Sequence, residues 1–135
     1  MTAPKRPFLA LVLLATVSVS LLPIPTSACE VVTFEGSNGA RYTLTRPGPL
    51  DPPACGYYLD GPGFACEARR AVLRRTPRCS GPEISYSCLV QGDGDRATLH
   101  HFVFCTANRS WRYERAEYRG RDLLSLRTVP LRRVL

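Results

Sequence analysis

Six cysteines constrain this chain more than any other feature: Cys29, Cys55, Cys66, Cys79, Cys88 and Cys105, separated by 25, 10, 12, 8 and 16 intervening residues. An even count in a small chain reads as three disulfides, and spacing alone leaves all fifteen connectivities open. No pair has Cys-x-x-Cys spacing, so the pattern supports neither a zinc knuckle nor a thioredoxin-type redox site. Closing loops of this size stabilises a fold by ~2–4 kcal/mol per bridge. A domain near 100 residues buries too little surface to forgo such help easily.

The compartment that permits disulfides is written at the start of the chain. Residues 1–28 read as a signal peptide: Lys5 and Arg6, an apolar run from Phe8 to Leu22, Pro23 and Pro25, then the small residues Thr26-Ser27-Ala28. The run is shorter than the ~18–20 residues that span a bilayer, and no later segment approaches a span. A lipidated Cys29 is not expected, because Thr26 stands where a lipobox carries leucine. Cleavage after Ala28 removes the only lysine and leaves sixteen arginines against eleven acids, a surplus of five within the chain's total of +7. The expected protein is secreted and extracellular, its all-arginine cations fitting a GC-rich genome better than selection for forked contacts.

Strand signals dominate between the cysteines. Val31–Phe34 and Arg41–Leu44 flank Gly36-Ser37-Asn38-Gly39, which reads as a hairpin, whereas Pro47 to Pro53 reads as a loop. Gly61-Pro62-Gly63 turns within Gly56–Phe64. Ile84–Val90 and Ala97–Thr106 form a second hairpin around Gly92-Asp93-Gly94-Asp95, with Leu99, His101 and Val103 on one face and His100, Phe102 and Phe104 on the other. Trp111–Tyr118 and Leu123–Val129 are further strand candidates. One helix is expected over residues 67–76, where Arg70, Arg74, Arg75 and Arg78 would share a side opposite Ala68, Val72 and Leu73, with Pro77 as the stop. The fold class is therefore a mainly β, small disulfide-rich secreted domain of antiparallel hairpins with room for one short helix.

Charge divides the chain. Residues 29–108 hold eight arginines and eight acids, and residues 109–135 hold eight arginines against Glu114, Glu117 and Asp122. The expected organisation is a neutral disulfide-stapled β domain over 29–108 and a basic aromatic-containing segment over 109–135 packed on it. Arg109, Arg112, Arg115, Arg119 and Arg121, with Trp111, Tyr113 and Tyr118 packing or stacking among them, are the expected anion-binding set. The competing reading makes this segment a strand pair with an arginine-rich polar edge and with Leu123, Leu124, Leu126 and Val129 buried. The expected partner is an extracellular protein or a sulfated glycan; a membrane surface ranks below these, and no nucleic acid is expected in that compartment. Asn108-Arg109-Ser110 is a glycosylation sequon at the start of the basic segment.

Catalytic chemistry finds little support. His100 and His101 are adjacent, so on a strand they face opposite ways and do not share a metal. Either could serve as a general base, yet no local motif marks a serine or cysteine nucleophile. Asp93 and Asp95 read as turn formers rather than a calcium loop. No metal and no cofactor are expected. The dibasic pairs Arg69-Arg70, Arg74-Arg75 and Arg132-Arg133 allow a processed precursor.

Ile84-Ser85-Tyr86-Ser87-Cys88, then Cys105, then Asn108-Arg109-Ser110-Trp111 together resemble the back half of a complement control (sushi) module, with Cys55 standing as its first cysteine. The resemblance implies a Tyr-x-Cys strand followed by a third cysteine and a tryptophan. It also implies a fourth cysteine soon after Trp111, which the chain lacks, and Cys66 and Cys79 are extra. The stretch reads as convergent hairpin chemistry. The expected function is non-enzymatic binding in extracellular recognition or immune modulation; a membrane-active defence peptide or toxin, a small secreted hydrolase and a processed precursor are the alternatives.

Overall fold

A computed structural model of the protein describes residues 29–48, 55–74 and 76–134. The expected signal peptide lies outside the described residues, as does most of the proline-rich loop. The strands are β1 (Cys29–Gly36), β2 (Arg41–Pro47), β3 (Tyr57–Gly61), β4 (Phe64–Leu73), β5 (Glu83–Gln91), β6 (Arg96–Cys105), β7 (Ser110–Arg119) and β8 (Asp122–Val134). Each pairs antiparallel with its sequence neighbour, and β8 returns to β1 through Thr33↔Val134 and Gly36↔Leu131, closing an up-and-down barrel. Closure gives every strand among the described residues a partner on both sides, although β1 and β8 pair only over Thr33–Gly36 and Leu131–Val134.

Four hairpin turns define what we term the upper end: residues 37–40, 62–63, 92–95 and 120–121. Gly39, Gly63, Gly94 and Gly120 all adopt positive φ there, the conformation that a side chain resists. Asp93 and Asp95 serve these turns through their carbonyls, which accept from the amides of Arg96 and Gly120. At the lower end lie the 106–109 turn, the end of β2, the start of β3 and the described residues that lead from β4 to β5.

Alternation along the strands fills the interior. Val32, Phe34, Tyr42, Leu44, Leu59, Tyr86, Phe102, Tyr113, Val129 and Leu131 are buried as one cluster, with Phe64, Ile84 and Trp111 packed against it. Eight strands leave a bore just wide enough for side chains. Aromatic rings occupy it edge to face, as in Phe34 with Phe102 at 5.9 Å and 86°. The two faces expected for β6 are realised: His100, Phe102 and Phe104 face the same side as Cys88, Tyr86 and Ile84 of β5, and Leu99, His101 and Val103 face out.

The disulfides join Cys29 to Cys55, Cys66 to Cys88, and Cys79 to Cys105. The third folds the β4–β5 connection against the outside of the barrel, where Gly81 lies against Thr106 and Ala107, and the Thr106 amide and hydroxyl both donate to the Pro82 carbonyl. Glu83, Ser85, Val103 and Glu114 are consequently buried, although their strands turn them away from the bore.

Three sequence expectations are corrected. Residues 67–73 continue strand β4 and are not helical; Ala68 and Val72 satisfy a two-residue period as well as a helical one, and the bridge from Cys66 to Cys88 and the pairing of Arg69–Leu73 with β5 hold the segment extended. Pro47, expected in a loop, ends β2 opposite Cys29, a strand terminus where its missing N–H is tolerated. The competing reading of residues 109–135 holds for the strand pair but not for its burial: of the four side chains it places in the core only Val129 is buried, and Leu123, Leu124 and Leu126 are exposed near a register shift at Glu117/Tyr118.

Candidate functional site

The segment from 109 to 135 is not an appendage: it supplies β7 and β8, one quarter of the barrel's strands, and its aromatic residues serve the core. Alternation divides the expected anion-binding set. Trp111, Tyr113 and Arg115 share the face of Phe104, Phe102 and His100, whereas Arg112 and Tyr118 face out with Val103 and Ala97. Arg109 sits in the lower turn with φ of 58°, and Arg119 and Arg121 lie at the upper turn. A ten-residue strand separates these two groups, about 30 Å at strand rise. The eight residues thus do not form one surface.

Arg112 is committed to the fold. Its guanidinium forks onto Glu83, Nη1 donating to Oε2 at 2.7 Å, while Nε donates to Glu114 Oε2 at 3.0 Å. Arg78 of the β4–β5 connection and His101 Nε2, at 3.1 Å, complete the shell of Glu114. The hydrogen bond from His101 and the Arg112 guanidinium hold the Glu114 carboxyl down to about 2. Beyond His101, Ser87 Oγ lies 3.4 Å from Nδ1, and Ser85 Oγ is 2.9 Å from Ser87 Oγ. This gives a serine, histidine and glutamate in line, a grouping that sequence reading missed because its members come from three strands. Ser87 is mid-strand in β5, which is paired on both edges. Its neighbouring amides therefore belong to the ladder and leave no paired donors for an oxyanion. The line braces the sheet.

Two cavities flank the packed bore. The lower one, about 540 Å³, has a wall of Tyr86, Phe104 and Trp111 and gathers Arg46, Arg109, Arg132 and Arg133. Trp111 and Phe104 are 4.8 Å apart between ring centroids, and Tyr86 stacks on Trp111 at 6.1 Å. The opposing acids are Glu30, shared by Arg46 at 3.2 Å and Arg133 at 3.8 Å, and Glu35, paired with Arg132. Arg109 has no carboxylate within 4.0 Å among the described residues. Arg46, Arg109 and Arg133 thus face Glu30 beside an aromatic wall, whereas Arg132 and Glu35 pair on the outer surface, where strand alternation turns them away from Phe34 and Leu131. Of the expected set only Arg109 and Trp111 are here; Arg46, Arg132 and Arg133 come from β2 and β8, and the sole sequence signal for them was a dibasic pair.

Asn108 is exposed in the turn beside this cavity. Its Oδ1 accepts from the Ser110 amide at 3.1 Å and from the Ser110 hydroxyl at 2.6 Å. No cluster of metal-ligating side chains occurs among the described residues.

The upper cavity, about 470 Å³, lies under the hairpin turns and includes Tyr42, Phe64, His100, Tyr113, Arg115 and Arg127 in its wall. His100 Nδ1 and the Tyr113 hydroxyl are hydrogen-bonded at 2.8 Å. Burial, with the charges of Arg115 and His101, pushes His100 down to about 4, and burial pushes Tyr113 up to about 12. Both are therefore uncharged across the physiological range.

Comparison with known proteins finds no matching family model, no similar curated protein and no similar solved structure, and lends nothing to the sushi resemblance. Three disulfides in a small β-barrel are compatible with an extracellular protein.

Proposed function

We propose that this is a secreted, non-enzymatic binding protein whose lower cavity takes a sulfated glycan. The observation that carries the reading is the convergence of Arg46, Arg109 and Arg133 beside the wall of Tyr86, Phe104 and Trp111. Guanidinium forks match sulfate and carboxylate oxygens, and an indole or phenol face accepts the apolar face of a sugar ring. Arg46 holds Glu30 at 3.2 Å while Arg133 reaches it only at 3.8 Å, and Arg109 has no carboxylate within 4.0 Å among the described residues, so the charge open to a ligand centres on Arg109 and then on Arg133. An Asn108 glycan would stand at the rim of this cavity and tune access to it.

Heparin affinity chromatography tests the proposal. The mature protein should be retained and elute at moderate salt, since screening weakens exposed ion pairs. The Arg109→Ala/Arg133→Ala variant, with an unchanged unfolding midpoint, should elute at clearly lower salt. Unchanged elution of that folded variant would sink the assignment. Retention by an acidic peptide column but not by heparin would favour the acidic protein surface, and dye release from anionic vesicles would favour the membrane-active alternative.

A further inference from the structure

We infer that the upper cavity is a second, separate binding site, built for a planar aromatic anion. Its wall is flat. Phe64 and His100 stack at 4.0 Å with planes 9° apart, and Phe64 and Tyr113 lie at 5.4 Å and 7°. Phe64 and His100 are in contact and admit nothing between them; their parallel planes instead offer a flat surface at one mouth of the barrel on which a planar guest stacks better than a branched one. The volume of about 470 Å³ falls within the ~300–1,000 Å³ of small-molecule sites.

Charge selects the guest's sign. Arg115 and Arg127 are register partners on β7 and β8 and both line the cavity. Glu117 holds Arg115 at 2.9 Å, whereas Arg127 has no carboxylate within 4.0 Å among the described residues. One guanidinium is thus balanced and one is open, which suits a guest carrying one carboxylate or sulfonate. The remaining polar groups are only partly engaged. His100 and Tyr113 bond each other, and Asn38 Nδ2 donates to the Tyr42 hydroxyl at 3.0 Å. Each bond uses one proton and leaves another, on His100 or Tyr113 and on Tyr42, that an anionic oxygen of the guest can accept.

None of the lower-cavity arginines takes part, so the two sites fail or stand independently. The probe is 2-naphthoate, titrated by calorimetry into the intact mature protein, with 2-naphthalenemethanol as its uncharged counterpart. The expected result is saturable one-to-one binding of the anion, at least tenfold weaker binding of the alcohol, and loss of that discrimination in Arg127→Gln. The Arg109→Ala/Arg133→Ala variant should bind 2-naphthoate as the unaltered protein does. No binding, equal affinity for anion and alcohol, or undiminished discrimination in Arg127→Gln would each overturn the inference. Loss of binding in Arg109→Ala/Arg133→Ala would move the site to the lower cavity and overturn it as well.

Discussion

Phe64 lies flat against His100, ring centroids 4.0 Å apart and planes 9° from parallel. The contact seals an imidazole that is only 5% exposed into the barrel wall, and this has a consequence for acid stability. The unfolded chain takes up a proton at this imidazole near its ordinary pKa of 6.5, whereas the folded chain does so only near 4. Stability is therefore full above 6.5 and falls as pH drops from 6.5 to 4, by up to about 3 kcal/mol. Glu114 follows with a second window. Its pKa is depressed from 4.5 to about 2, so its contribution is full above 4.5 and is lost between 4.5 and 2. Urea midpoints measured across pH should show two successive declines. His100→Gln should flatten only the upper one, and a profile that retains both declines in that variant would refute the account.

The ion-pair group on the outside of the barrel should be intolerant of losing its centre. Glu83 is 1% exposed and depends on Arg112 for both of its side-chain oxygens. Removing one partner from a buried pair leaves an uncompensated charge and costs about 3–5 kcal/mol. Arg112→Met should lower the urea midpoint accordingly, and Glu83→Gln added to it should recover part of the loss. Independent, additive effects of the two substitutions would show that the pair is not coupled.

The contrast between these two groups shows what the sequence discloses. Hairpins were legible because turn chemistry is local: Gly36-Ser37-Asn38-Gly39, Gly61-Pro62-Gly63 and Gly92-Asp93-Gly94-Asp95 all close turns where expected. The inward and outward faces of β6 were legible because alternation is local too. Barrel closure was not, since the β1–β8 pairing joins residues about a hundred positions apart through no recognisable motif. Nor was the distribution of the arginines. Clustering in sequence suggested one patch, yet a strand sends alternate side chains to opposite faces and its two ends to opposite mouths. Arg112 looked like a ligand-binding cation because nothing in the sequence says that Glu83, from β5, sits beside it.

The three disulfides provide a clean comparison, because their sequence separations are 26, 22 and 26. Loop entropy alone gives each about 3.5 kcal/mol. Cys79–Cys105 does more, since it also holds the connection that covers Glu83 and Glu114 and carries Arg78 to the latter. Paired Cys→Ala variants should therefore lose most stability at this bridge, and hydrogen exchange at Glu83 and Glu114 should accelerate only there. Equal losses at all three bridges would show that the covering segment contributes nothing beyond loop closure.

Gly61 makes room for two residues of the upper cavity wall, Phe64 and Tyr42. A methyl group there would lie 2.6 Å from Phe64 Cε1 and 2.8 Å from Tyr42 Cδ2. Phe64 cannot retreat without breaking its stack on His100, so Gly61→Ala should cost about 1–3 kcal/mol by overpacking. The near-UV circular dichroism of the aromatic cluster should change with it, and affinity for 2-naphthoate should fall while heparin elution stays the same. An unchanged near-UV spectrum would show that Phe64 accommodates the methyl group in place.

Deleting residues 109–135 tests how far the neutral body exists without its basic partner. The deletion removes β7 and β8, takes Trp111, Tyr113, Val129 and Leu131 out of the core, and strands Glu83 without Arg112. It also bares the edges of β6 and β1 that those two strands cover. A six-stranded remnant with a buried carboxylate and two open edges has no route to a closed barrel and gains two sites for aggregation. The remnant should show no cooperative urea transition and should be digested rapidly by trypsin, even with all six cysteines present. Polyanion binding by such a chain would report only its exposed arginines, so the site assignments rest on point variants of Arg109, Arg133 and Arg127. A remnant that unfolds cooperatively with a native-like near-UV spectrum would show that residues 29–108 form the folding unit and that β7 and β8 are added to it.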